Sequence, residues 1–198
     1  GLPGPNEPSH TPRVVAEALP LLEANRGRAF MLFTSYRAMR EAAFILQQRT
    51  RLPLLIQGSM PKPTLLERFR AAGNAVLLGT SSFWEGVDVR GALLSLVIID
   101  RLPFAAIGDP VQQAHGDAIR QRGGSPFLEQ QLPRAVIALK QGVGRLIRDT
   151  TDRGLLVICD PRLIEKSYGR TFLASLPPIP TLMDQAEALQ FIAAGDQS

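Results

Sequence analysis

The stretch from Gln141 to Arg148, Gln-Gly-Val-Gly-Arg-Leu-Ile-Arg, carries the side chains best suited to chemistry. Read as helix, it sets Gln141, Arg145 and Arg148 at i, i+4 and i+7, within an arc of roughly 60°. Leu139, Val143, Leu146 and Ile147 fall on the opposite side, so an apolar stripe backs the polar one. A guanidinium grips phosphate or carboxylate oxygens in a bidentate fork and never loses its charge. Two of them, one turn apart, suit the oxygens of a single polyphosphate. Gly142 and Gly144 each cost a helix about 1 kcal/mol relative to alanine. Flanking the stripe, they let another backbone or a ligand approach closely. A solvated basic face is the ordinary meaning of arginines at this spacing, but it leaves the Gln and both Gly as coincidences.

Three further polar stretches follow short apolar runs. Thr34, Ser35 and Tyr36 come directly after Ala29-Phe-Met-Leu-Phe. Ser35 suits a helix cap, and the same hydroxyls and helix amides suit contact with a phosphate backbone. After Leu78 runs Gly79-Thr-Ser-Ser-Phe-Trp-Glu-Gly-Val-Asp-Val-Arg-Gly, with successive hydroxyls at Thr80, Ser81 and Ser82. Gly86 frees its backbone, while Asp88 can accept from a ribose hydroxyl or hold an arginine in place. Phe83 and Trp84 are assigned to packing ahead of base stacking. In the third, Ile98-Ile-Asp-Arg-Leu-Pro-Phe, Asp100 ends a strand and Arg101 stands beside it.

The elements that must position these residues alternate. Strands are predicted at Ala29–Phe33, Leu54–Ile56, Ala75–Leu78, Leu96–Ile99 and Leu155–Ile158. Helices are predicted from Arg13 to near Gly27, then at Tyr36–Gln48, Thr64–Ala72, Val111–Arg122, Arg134–Arg148, Arg162–Leu173 and Leu182–Ala193. This alternation implies an α/β domain with a mostly parallel sheet and helices on both faces. Right-handed crossovers would put the loops after the strands along one edge, where open sheets of this kind bind ligands. Residues 1–12, rich in proline, read as a linker or an appended remnant. Residues 13–180 form the domain, and 181–198 a helical tail. The tail's apolar positions Leu182, Ala186, Leu189 and Ile192 would pack on the body or meet a partner.

Composition sets limits. At 198 residues the chain suffices for one well-buried domain, and its 45% hydrophobic and 20% charged content is that of a globular protein. No apolar run is long enough to span a bilayer, and no leader sequence is evident. The lone Cys159 excludes a disulfide or cysteine-held cluster within the chain and makes a reducing, cytoplasmic setting the expectation. It reads as a small buried hydrophobe, His115 as a surface residue, His10 as part of the linker, and Asp160 as the start of a turn or helix. The formal charge of +4 permits contact with a polyanion without demanding it. Of the 22 basic residues only Lys62, Lys140 and Lys166 are lysine. GC-rich coding and selection for phosphate contacts explain that bias equally well.

The octapeptide resembles motif VI of superfamily 2 helicases, Gln-x-x-Gly-Arg-x-x-Arg. The Thr34–Tyr36 loop resembles motif IV of the same proteins, and the Gly79–Gly91 loop resembles motif V. With Asp100-Arg-Leu-Pro-Phe, Gly154-Leu-Leu-Val-Ile-Cys-Asp-Pro-Arg and Tyr168-Gly-Arg, residues 28–180 are most similar to the XPD/DinG branch, bacterial DinG/YoaA type. That resemblance implies a RecA-like three-layer sandwich serving as the second motor domain of an ATP-dependent, 5′–3′ DNA helicase of repair or replication. It implies catalytic roles for Arg145, Arg148 and Gln141, and nucleotide contacts from Glu85, Gly86, Asp88 and Gly144. Nucleic-acid contacts would come from Thr34, Ser35, Tyr36, Thr80, Ser81 and Ser82. No phosphate-binding Gly-x-x-x-x-Gly-Lys-[Ser/Thr] loop or Asp-Glu-x-His run is present. ATP, Mg²⁺ and any iron–sulfur cluster would therefore sit chiefly on a first motor domain outside this chain, and the fragment alone would be inactive. The implied partners are that domain, single-stranded or forked DNA, and a replication or repair protein at the tail. A non-catalytic nucleic-acid- or partner-binding module is the competing expectation. A dinucleotide enzyme is disfavoured because no Gly-x-Gly-x-x-Gly turn follows any predicted strand.

Overall fold

The computed structural model describes all of the chain except residues 81, 82, 84–88, 90–92, 105–109, 145–152, 183 and 196–198. Helix α1 (His10–Ala24) leads into strand β1 (Ala29–Phe33), followed by α2 (Tyr36–Arg49), β2 (Leu54–Ile56), α3 (Lys62–Ala72) and β3 (Val76–Thr80). Next come β4 (Leu96–Ile99), α4 (Pro110–Gln121), a π turn (Phe127–Gln131) running into α5 (Leu132–Val143), and β5 (Leu155–Ile158). Short helices α6 (Arg162–Glu165) and α7 (Gly169–Ser175) precede the tail helix α8 (Gln185–Gly195). The five strands lie in the order β2-β3-β1-β4-β5, every neighbouring pair parallel.

Strand alternation divides the core into two layers. Met31, Phe33, Leu78 and Ile98 point to one face, where Val14 and Leu22 of α1, Met39 and Leu46 of α2, and Ile192 of α8 cover them. Phe30, Leu32, Leu77, Val97 and Ile99 point to the other, covered by Leu65 and Phe69 of α3, Leu139 and Val143 of α5, and Phe172 of α7. The result is the expected three-layer α/β/α sandwich. Both faces of β1 and β3 are sealed, which is why their sequences read as unbroken apolar runs. Each fully buried large side chain contributes roughly 1.5–3 kcal/mol. The exposed Arg13–Glu17 ion pair, at 3.1 Å, belongs to a class worth about 0–1 kcal/mol.

Three expectations need correcting. Helix α1 starts at His10 rather than Arg13, and His10 is fully buried, with its ring nitrogens 2.9 Å from the carbonyl oxygens of Pro3 and Asp100. Because carbonyls only accept, one tautomer serves Pro3 and the other Asp100. His10 therefore belongs to the body rather than to a linker. Second, the single helix expected over Arg162–Leu173 is two, because α6 stops at Glu165 and α7 restarts at Gly169. A Cβ on Gly169 would lie 1.8 Å from the Leu163 carbonyl oxygen, so only glycine lets the second helix fold back so tightly. Third, the tail helix starts at Gln185, not Leu182, and turns Ala188 and Ile192 into the core, leaving Ala186 exposed. Arg153 anchors its end, donating to the Phe191 carbonyl at 2.9 Å with its guanidinium over the Phe191 ring.

Gly169→Ala should lower the urea midpoint by an amount equivalent to about 2–4 kcal/mol while leaving the far-UV spectrum almost unchanged. A wild-type midpoint would show that the α6–α7 junction relaxes freely.

Candidate functional site

Level parallel registers bring the C-terminal ends of the strands to a common edge. Leu32 stands opposite Gly79 and Ile99, and Phe33 opposite Thr80. The β1 strand ends at Phe33, and Ser35 then caps α2, its Oγ accepting from the Ala38 N–H at 3.2 Å. Tyr36 follows on the first turn, 49% exposed. Across the edge, the Gln57 side chain ties the neighbouring loops together. Its Nε2 donates to the Tyr36 hydroxyl at 2.7 Å, while its Oε1 accepts from the Thr80 backbone N–H at 2.6 Å and the Thr80 hydroxyl at 3.1 Å. Thr34, Ser35, Tyr36 and Thr80 thus stand at one edge of the sheet. Thr80, however, is only 5% exposed and spends its hydroxyl on Gln57, so it braces the edge from beneath.

Gln57 is the residue that sequence reasoning missed. Its signal was present: Gln57-Gly-Ser directly follows the strand Leu54–Ile56, as Thr34-Ser-Tyr follows β1. The run reads only as a short strand, and the polar residue after it goes unweighed.

On the other side of β1, the loops after β4 and β5 are joined by carboxylates. Asp160 is buried; its Oδ2 accepts from the Leu102 N–H at 2.8 Å and from Arg162 Nη2 at 2.7 Å, and its Oδ1 from the Arg162 N–H at 3.0 Å. Burial pushes this carboxyl up, but the Arg162 fork and the two backbone donors outweigh it and hold the group below the usual range. Burial likewise raises the Cys159 thiol to about 12, with Asp100, Glu17 and Asp160 adding to the shift. Such a thiol is a poor nucleophile, in keeping with its reading as a small buried hydrophobe.

Asp100 is less well compensated. It is 1% exposed, its Oδ2 accepts from Arg101 Nε at 2.8 Å, and its Oδ1 has no hydrogen-bond partner. Burial pushes the carboxyl up to about 6, against partial relief from Arg101, His10 and the Thr34 backbone N–H. Arg101 also donates to the Pro5 carbonyl at 2.6 Å, so the chain's first residues are fastened over the end of β4.

Helix α5 holds Leu139 and Val143 in the core and leaves Gln141 and Gly144 exposed at its end, where the Gly144 N–H caps to the Lys140 carbonyl at 2.8 Å. Gln141 outward with Leu139 and Val143 inward is the expected apolar-backed arrangement, but the helix, expected to run from Arg134 on to Arg148, is Leu132–Val143 with Gly144 as its cap. Arg145, Arg148, Ser81, Ser82, Glu85, Gly86 and Asp88 lie outside the described residues. Among the described residues no cluster of three His, Cys, Asp or Glu side chains is arranged to hold a metal ion, and no helix is long and apolar enough to cross a membrane.

With this edge laid out, comparison with known proteins becomes decisive: the family model described as the helicase C-terminal domain matches residues 18–179. The chain belongs to the helicase C-terminal domain family. It is 56% identical over 192 residues to the ATP-dependent DNA helicase YoaA of Escherichia coli K12, covering 97% of this chain and 30% of that protein. It is 53% identical over 174 residues to YoaA of Haemophilus influenzae, covering 88% of this chain and 27% of that protein. Against the ATP-dependent helicase DinG of Mycobacterium tuberculosis H37Rv, identity is 43% over 164 residues, covering 83% and 25% respectively. The chain therefore spans roughly a quarter to a third of these relatives' length. An apo XPD structure matches the fold with a TM-score of 0.64 at 21% identity, covering 81% of this chain and 33% of that one. The Xpd4 structure from S. tokodaii gives 0.60 at 18% identity, covering 83% and 31%. Those structural likenesses bear on the fold, and they agree with the RecA-like sandwich.

The raised Asp100 carboxyl has a thermodynamic consequence. Between the ordinary aspartate value of 3.8 and about 6, the folded chain holds a proton that the unfolded chain has lost. Its stabilising contribution is thus full at low pH and disappears as pH rises through that window, by an amount on the order of 3 kcal/mol. Asp160, shifted the other way, acts only below the ordinary range. Asp100→Asn should therefore flatten the stability profile between pH 4 and 6. An unchanged slope in urea titrations across that window would show that Asp100 ionises freely.

Proposed function

We propose that this domain is the second motor half of an ATP-dependent DNA helicase that moves 5′ to 3′ and serves repair or replication. The observation that supports this most is the common edge on which the Thr34–Tyr36 loop and the Thr80 loop stand side by side, in a chain of the helicase C-terminal domain family. Hydroxyls from Ser35 and Tyr36 beside backbone amides suit a single-stranded phosphate backbone, and Ser81 and Ser82, next in sequence after Thr80, are assigned the same role.

ATP with Mg²⁺, carried mostly by the first motor domain, supplies the phosphoryl-transfer chemistry. The residues of this half fit such a group by donor type and by support. Gln141 is exposed at the end of a helix whose opposite side is packed on the sheet, and Arg145 and Arg148 continue the stripe in sequence. In this reading the two guanidiniums stabilise charge on the γ-phosphoryl oxygens, and Gln141 orients toward the same oxygens. Gly144 allows close approach, Glu85 and Gly86 line the nucleotide, and Asp88 meets the ribose or braces an arginine. An arginine finger is worth on the order of 10³–10⁵ in turnover in related phosphoryl transfer.

Closure of the two halves would shift their strand-holding loops relative to each other and so turn hydrolysis into stepping. Alone, the domain does not turn over nucleotide. A replication or repair protein at the tail would meet the solvent side of α8, since Ala188 and Ile192 face the body.

In the intact protein, Arg148→Ala should abolish DNA-stimulated ATP turnover, a loss of at least about 10³-fold, while nucleotide binding stays near wild type. Turnover close to wild type would remove the role assigned to this arginine.

A further inference from the structure

The direction of each hydrogen bond at Gln57 can be worked out from its partners. The Thr80 backbone N–H can only donate, so the atom facing it at 2.6 Å is the Gln57 carbonyl oxygen. The amide nitrogen then faces Tyr36 at 2.7 Å, and because that NH₂ only donates, the phenol oxygen must accept. The phenol has one proton of its own. With its oxygen engaged by Gln57, that proton is left to donate away from the protein, on a ring that is 49% exposed. Its neighbour Ser35 has the same polarity, since Oγ accepts from the Ala38 N–H and keeps its proton for an outside acceptor.

We propose that Gln57 is a positioning residue for strand binding: its amide commits the Tyr36 hydroxyl to act as a donor toward a phosphodiester oxygen. The inference rests on the strand-gripping function proposed above and adds the residue that sets its polarity. A phosphate offers acceptors only, so a hydroxyl that must donate matches it, and one that has already donated inward does not. Through Thr80 the same amide holds this donor in register with the neighbouring loop.

The substitution that separates polarity from mere bracing is Gln57→Glu. A carboxylate accepts from the Thr80 N–H and also from the Tyr36 hydroxyl, so both tethers survive while the Tyr36 proton turns inward. The measurement is binding of the intact protein to a labelled single-stranded oligothymidylate at fixed salt, with thermal midpoints recorded for every variant. Tyr36→Phe and Gln57→Ala should each weaken binding by about three- to tenfold, the range expected for one ordinary solvent-exposed hydrogen bond. Gln57→Glu should weaken it further while keeping a midpoint at or above that of Gln57→Ala. In a Tyr36→Phe background, most of the added loss from Gln57→Glu should vanish, since no phenol proton remains to redirect.

Wild-type affinity in Gln57→Ala, or a Gln57→Glu loss of equal size with and without the Tyr36 hydroxyl, would overturn the assignment; the second result would mean plain charge repulsion. If the unsubstituted protein fails to bind the strand at all, the strand-gripping function itself goes, and this inference with it. Binding that persists without coupling between positions 57 and 36 removes the inference alone.

Discussion

A parallel sheet covered on both faces has no room for polar chemistry except at its ends. Strands β1 and β3 are buried along their whole length, and their backbone groups are consumed by the ladder. Register then does the rest. Because Leu32 stands level with Gly79 and with Ile99, the first polar residue after each strand emerges at nearly the same height. The hydroxyl loop after β1, the Thr80 loop and the Asp100 loop are therefore neighbours although they come from sequence positions far apart.

That edge is held differently on the two sides of β1. On the β3 side the ties are neutral hydrogen bonds through Gln57, exposed toward Tyr36 and part-buried toward Thr80. On the β4 and β5 side they are buried carboxylates. Asp160 is fully satisfied by Arg162 and two backbone donors, so it fixes the two loops at little net cost. Asp100 keeps an unpartnered oxygen and a carboxyl raised to about 6, a local weakness at the point where the chain's first residues are fastened by Arg101. The first group suits contact with a ligand; the second suits holding the frame behind it.

Beside these loops, an aromatic cluster keeps α5 and α7 in place. Phe104 stacks on Phe127 at 5.7 Å and meets Phe172 edge-on at the same distance, and Arg162 lies over Phe104 at 5.2 Å. One guanidinium thus serves the Asp160 tether and, over Phe104, the aromatic packing against the turn that leads into α5.

The strands were legible because apolar runs of three to five residues bounded by glycine, proline and hydroxyl residues leave few alternatives. The candidate site was legible for the same reason, since polar clusters such as Thr34-Ser-Tyr and Gly79-Thr-Ser stand out directly after such runs. What the residue order determined by itself was therefore local: which segments are buried, where they stop, and which chemistry is available at each stop. Helix boundaries such as the break before Gly169 depended on Leu163, six residues away in sequence and against it in space. The burial of His10 depended on Asp100, ninety positions later, and the inward turn of the Thr80 hydroxyl depended on Gln57. A hydrogen bond has a direction and needs a partner at about 3 Å, and linear order contains neither until the sheet has set the strands side by side.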